Sequence, residues 1–180
     1  WLKQSNWVQI STSREDFSQK TNKETQIENR AKWSKLIESG IENGGLLAYH
    51  NLVSFSSKGV MTDPSTGKEF SITDYDPLAN SLYVTPNYLD IQGVPVSPEE
   101  KDHLNHLQAG EFGLLLPEKL KGREEEMIKR YEDYLSPRDD QGNITLSMKA
   151  KVTYIPNHQK RFIYNNTPIS YKQFFTDPVL

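Results

Sequence analysis

The chain has 180 residues, 35% of them apolar and 25% charged, with a net charge of -3. That length suits one domain with a real core, and the acidic balance excludes a general nucleic-acid binder, which shows a clustered basic excess. No cysteine is present, which excludes a disulfide scaffold, thiolate catalysis and Cys-ligated zinc.

Mean hydropathy is -0.72, so the core must lean on aromatics: nine Tyr, seven Phe and three Trp. The charge is uneven. Residues 144–180 carry +4, from Lys149, Lys151, Lys160, Arg161 and Lys172 against Asp177, and the rest carries -7. No apolar run is long enough to span a membrane, and no signal peptide is visible. The chain opens at Trp1 without a Met and stops at Leu180, so we expect a fragment of a longer protein.

In chain order, Trp7–Thr12 reads as a short first strand. From about Glu24 to Ile41, Ile27, Ala31, Trp33, Leu36, Ile37 and Ile41 recur at helical spacing. Gly44 and Gly45 stop that helix, and Leu46 to Phe55 continues as a strand, completing a β-α-β unit. Val60-Met61, a turn over Asp63–Gly67, then Phe70 and Ile72 read as a hairpin excursion spanning residues 56–75.

Ser81–Val84 is expected to be a strand, followed by one helical turn over Thr85–Leu89 with Thr85 as its cap. Ser97-Pro98-Glu99-Glu100 predicts a better helix start: Ser97 caps, Pro98 takes the first position, and Glu100 reaches back to close a capping box. That helix runs to about Leu107. Four of the five residues Phe112–Leu116 are apolar, bounded by Gly110 and Pro117. Such a run reads as a strand buried on both faces, and Pro117 then opens a helical segment. Met127, Ile128, Tyr131 and Leu135 form the apolar face of a further helix. Beyond the turn at Asp139–Gly142, apolar and polar residues alternate from Ile144 to Tyr154, predicting a long strand with one wet, basic face. Pro156-Asn157 turns the chain, and Arg161–Tyr164 is expected to return as its hairpin partner. The fold class is therefore α+β, a mixed β-sheet with helices packed mainly on one face, in a single domain over residues 1–180.

Chemistry is harder to find. His103 and His106 stand at i, i+3 on the predicted helix, a spacing that metal sites use. Their only near acids are Glu99, Glu100 and Asp102, so we read an exposed polar helix face. Gly67-Lys68 resembles the end of a phosphate loop, but Thr62 stands where the first Gly belongs and Glu69 replaces the Ser or Thr that would hold magnesium. Asp74, Asp76, Asp139 and Asp140 read as turn residues rather than a calcium loop, and Glu124–Glu126 as a favourable charge on a helix start. No Gly-x-Ser-x-Gly elbow exists among the serines. Asn143-Ile144-Thr145 and Asn165-Asn166-Thr167 match the glycosylation acceptor, which matters in a eukaryotic secreted protein. The basic strand face of Lys149 and Lys151 could attract anionic lipid or cell-wall polymer, though solvated surface charge accounts for it more simply. The residues assign no catalytic, cofactor-binding or metal site.

Two phrases carry a family resemblance: Ser81-Leu-Tyr-Val-Thr-Pro-Asn-Tyr-Leu89 and Gly110-Glu-Phe-Gly-Leu-Leu-Leu-Pro-Glu-Lys-Leu120. Together they resemble the large outer loop of the bacteriocin-associated integral membrane proteins of Gram-positive bacteria, which are linked to immunity. That group is similar in layout to MacB- and FtsX-like ABC transporter permeases. The resemblance covers roughly residues 46–135 and transfers no catalytic residue. It implies a non-enzymatic extracellular domain between two membrane spans, on the outer face of the cell membrane and linked to bacteriocin export or immunity. The implied partners are an ATPase subunit, reached through the full-length protein, and a peptide or cell-envelope ligand, with no nucleic acid. Two other readings stay open: a small metal-dependent hydrolase using His103 and His106, and a free cell-surface binding module.

Overall fold

The computed structural model describes residues 23–49, 60–62, 67–71, 74–139, 141–162 and 174–180. The expected strand at Trp7–Thr12, most of the strand running to Phe55 and the acceptor at Asn165 lie outside them. The fold is α+β. Among the described residues it begins with helix α1 (Lys23–Glu42), which ends in two glycines with different jobs. Gly44 takes φ 80°, and its N–H donates to Ile41 O at 2.9 Å. Gly45 N–H reaches back to Gly40 O at 2.7 Å, completing the paired bonds of a Schellman end. A Cβ on Gly45 would run into the Gly40 carbonyl.

Strand β1 (Ala48–Tyr49) follows, then the hairpin of β2 (Val60–Thr62) and β3 (Glu69–Ser71), paired antiparallel as expected. Strand β4 (Tyr83–Val84) leads into the short helix α2 (Asn87–Ile91), and α3 spans Pro98–Asn105. The capping box of α3 is formed in both directions: Glu100 N–H donates to Ser97 Oγ at 3.2 Å, and Ser97 N–H to the Glu100 carboxylate at 3.0 Å. The predicted cap of α2 is not. Thr85 Oγ1 instead accepts from Leu47 N–H at 3.1 Å and donates to Asn87 Oδ1, so it ties the residue before β1 to the first side chain of α2 without capping a helix N–H.

The centre is β5 (Glu111–Pro117), followed by a single 3-10 turn over Glu118–Leu120, helix α4 (Glu124–Leu135) and strand β6 (Lys149–Ile155). Strands β5 and β6 run parallel, with Leu115 opposite Thr153, so the β-α-β unit described by the structure lies here. Strands β7 (Lys160–Phe162) and β8 (Phe174–Thr176) form an antiparallel hairpin. This corrects the expected return of β7 onto β6. His158, at φ 63°, turns the chain away after β6, and Phe162 lies opposite Phe174 instead.

After β8 the segment 177–180 runs between β5 and the residues just before β4. Leu180 and Leu115 exchange backbone hydrogen bonds at 2.9 and 3.1 Å. Val179 accepts from Leu82 N–H at 2.8 Å and donates to Asn80 O at 3.0 Å. These bonds link the β1–β4 and β5–β6 ladders into a mixed sheet whose middle member is this segment.

Alternation along β5 then divides the core. Leu114 and Leu116 join Leu120, Met127, Tyr131 and Val179 on the face covered by α4. Leu115 points the other way, into a cluster with Leu82, Tyr88, Leu89, Leu104, Ile155, Phe175 and Leu180, to which α2 and α3 contribute. The central strand is thus buried on both faces, as its unbroken apolar run requires. Gly113 admits α3 to this layer, since a Cβ there would strike Leu104 Cδ2.

The alternating strand is shorter than its pattern. Ile144 and Leu146 are each 48% exposed and precede β6. Within β6, Ala150, Val152 and Tyr154 pack partly against the α4 cluster, while Thr153 and Ile155 are buried on the opposite face. Both faces of its second half are covered, so the strand has no fully wet side.

Leu115→Ala should therefore cost about 2–5 kcal/mol, because it removes packed methyl groups between two covered layers. Lys149→Ala, on an exposed side chain, should stay within about 0.5 kcal/mol. Urea melts beside the parent check both, and equal midpoints for all three proteins would contradict this architecture.

Candidate functional site

The side chains singled out in the sequence are occupied by local structure. His103 and His106 lie exposed at the end of α3, and His106 Nδ1 donates to Asp102 O of its own helix at 2.7 Å. Among the described residues no group of three or more His, Cys, Asp or Glu could hold a metal ion. Gly67 sits at φ 68° in the hairpin, and the Lys68 ammonium stands 5.0 Å from the Phe70 ring centre.

The acids behave the same way. Asp74 accepts from Ser71 N–H at 2.9 Å, and Asp76 accepts from Leu78 N–H at 3.1 Å while facing Arg130 at 3.5 Å. Asp139 accepts from Asn143 Nδ2, Asn143 N–H and Gln141 N–H, which together hold its pKa down. Its oxygens are engaged in a turn. Glu126 pairs with Arg123 and Arg130, and Glu124 accepts from the Tyr154 hydroxyl. Burial and that carboxylate push the Tyr154 pKa up to about 12. The expected basic face is largely neutralised, because Lys149 pairs with Glu132 at 3.3 Å and Lys151 with Glu111 at 3.0 Å.

A polar arrangement centres on the buried Asp177 and Arg161, which entered the sequence analysis only as charge. Asp177 is 3% exposed. Its Oδ2 accepts from Lys119 Nζ at 2.7 Å and its Oδ1 from Gln159 N–H at 2.6 Å, while its own N–H donates to Gln159 O at 2.6 Å. Asn80 Nδ2 donates to Thr176 O at 3.1 Å, closing the other side. Arg161, 4% exposed, donates from Nη1 to Gln92 O at 3.2 Å and from Nη2 to Gln159 Oε1 at 2.9 Å. Burial lowers its pKa, yet a guanidinium stays charged.

Chemically this cluster is a tie. A carboxylate held by an ammonium and a backbone N–H is neither a free base nor a nucleophile. It fastens the β7–β8 pair to the end of β5 and to the segment before Leu82. No local motif announces it, because Lys119, Gln159 and Asp177 are far apart in the chain.

Two outcomes follow. Burial alone would raise the Asp177 pKa, but the Lys119 and Gln159 donors outweigh it and the net shift is downward. A carboxylate with a lowered folded value contributes stability that is present above its ordinary 3.8 and lost as pH falls through the folded value. Urea midpoints should fall in that acid window for the parent, with a weaker acid dependence in Asp177→Asn. For metal, calorimetry should find zinc bound no tighter than by an ordinary surface His pair. Stoichiometric, submicromolar binding that vanishes in His106→Ala would restore the metal-dependent hydrolase. Compared with known proteins, the chain matches no family model, no curated protein and no solved structure.

Proposed function

We propose that this chain is a non-enzymatic extracellular domain of an ABC-type permease linked to bacteriocin export or immunity. It contacts a peptide or envelope ligand and relays its state to membrane spans and, through them, to an ATPase subunit. One observation carries the reading. The two phrases that resemble the permease loops, 81–89 and 110–120, are joined through the segment 178–180, by Val179 to Asn80 and Leu82 and by Leu180 to Leu115. A pull on that segment reaches both phrases at once, which is what a relay between a ligand and the membrane requires.

The hydrolase reading has less support, since the acids and His106 are engaged in turns, caps and ion pairs. A free cell-surface module would share the same core and differ only in lacking spans.

These 180 residues hold no cysteine, so an engineered thiol tests the placement. Gln141→Cys puts one thiol on an exposed loop, in a full-length protein whose cysteines outside this chain, where present, are replaced by Ser. A membrane-impermeant maleimide should label it in intact cells, with the protein in the membrane fraction. Labelling only after lysis would refute the extracellular placement, and labelled protein free of the membrane would favour the surface module.

A further inference from the structure

On its β5 side the sheet continues through Leu180 to Leu82, whereas among the described residues no strand pairs with the outer edge of β6. Lys149 N–H donates to Gly110 O at 2.7 Å, so in this parallel register the N–H and C=O groups of Lys149, Lys151, Thr153 and Ile155 face β5. Those of Ala150, Val152 and Tyr154 face outward. Ala150 N–H donates to Glu132 Oε1 at 3.1 Å. The backbone N–H groups of Val152 and Tyr154 make no hydrogen bond among the described residues.

Lysines commonly guard an exposed edge, but here both are drawn aside, Lys149 to Glu132 and Lys151 to Glu111 on β5. Acid lies along the same strand instead. Helix α4 reaches Ala150 through Glu132 and the Tyr154 hydroxyl through Glu124. It carries five acidic residues against Lys129 and Arg130. Arg130 is engaged by Glu126 and Asp76, Asp133 by Arg138, and the Lys121 ammonium stands 5.1 Å from the Tyr154 ring centre. Exposed Glu125 is therefore the acid that favours a basic partner.

We infer that the β6 edge at Val152–Tyr154 takes an extended, basic peptide segment as an added strand. Outward donors and acceptors at alternate residues match an extended backbone, and the acidic helix beside them selects the sign of the partner's charge. The inference deepens the peptide-binding part of the proposed function and rests on that reading. Its test, however, needs only the purified chain, so failure of the cell-surface placement would leave it standing.

The probe is a blocked heptapeptide alternating Lys and Val, with a Glu-Val heptapeptide as control. NMR-detected hydrogen exchange should slow at the Val152 and Tyr154 amides by about tenfold or more with the basic peptide. Thr153, already in the ladder, should change little. Val152→Pro removes an outward donor without touching the β5 ladder and should abolish the effect. Should that variant lose its fold, Glu125→Gln neutralises an exposed acid and should weaken protection by the basic peptide; unchanged protection would overturn the charge argument. Equal protection by the acidic control, or no slowing at all, would overturn the proposal. So would protection of both amides before any peptide is added, which would show that the chain covers its own edge.

Discussion

The two hydrogen bonds between Leu115 and Leu180 set the terms for the rest of the fold. Leu115 lies in a strand buried on both faces, where an unpaired backbone N–H costs about 1–3 kcal/mol. Segment 177–180 removes that cost, and its side chains then alternate as strand residues must: Val179 joins the α4 cluster and Leu180 the opposite one. Val179 in turn bonds Asn80 and Leu82. Pairing, layering and connection of the two halves of the described sheet thus depend on one stretch meeting a partner 65 residues away (Leu115 to Leu180). Contacts so distant along the chain close late and make for slow folding.

Elements that follow from short-range chemistry were legible in the sequence. The capping box at Ser97 and Glu100, the Gly44-Gly45 helix end, the β2–β3 hairpin and the two-sided burial of Leu114–Leu116 all rest on residues within a few positions of one another. What could not be read was pairing. Alternation from Ile144 to Tyr154 records which residues could face a core, yet nothing in it says that α4 covers one side of β6 and Ile155 packs on the other. Likewise Arg161-Phe162 shows that a strand exists and leaves its partner, Phe174-Phe175, undetermined.

The polar side chains show a similar divide. Motif reasoning looked for ligands and nucleophiles in clusters along the chain, such as His103 with His106 or Asp139 with Asp140. The cluster around buried Asp177 draws single residues from four places: Asn80, Lys119, Gln159 and Asp177. Lone residues of common type carry no spacing signal. Their role becomes visible only when the hairpin is laid against the end of β5.

Helix α1 behaves differently from this tied core. Every described side chain on it is exposed, Leu36, Ile37 and Ile41 among them. At its lower end Asn87 Nδ2 donates to Gly45 O, fixing the point from which it departs. At 20 residues it is about 30 Å long, so its far end lies well away from that anchor. With so little burial from the described side chains, its helicity rests on the Glu28–Lys32 pair, its glycine end and intrinsic propensity. Isolated helices only slightly shorter, about 12–15 residues, are marginal in water. The helix–coil balance of α1 is therefore set separately from the cooperative unfolding of the sheet. Warming or added salt would unwind this arm while Leu115 and Leu180 stayed paired.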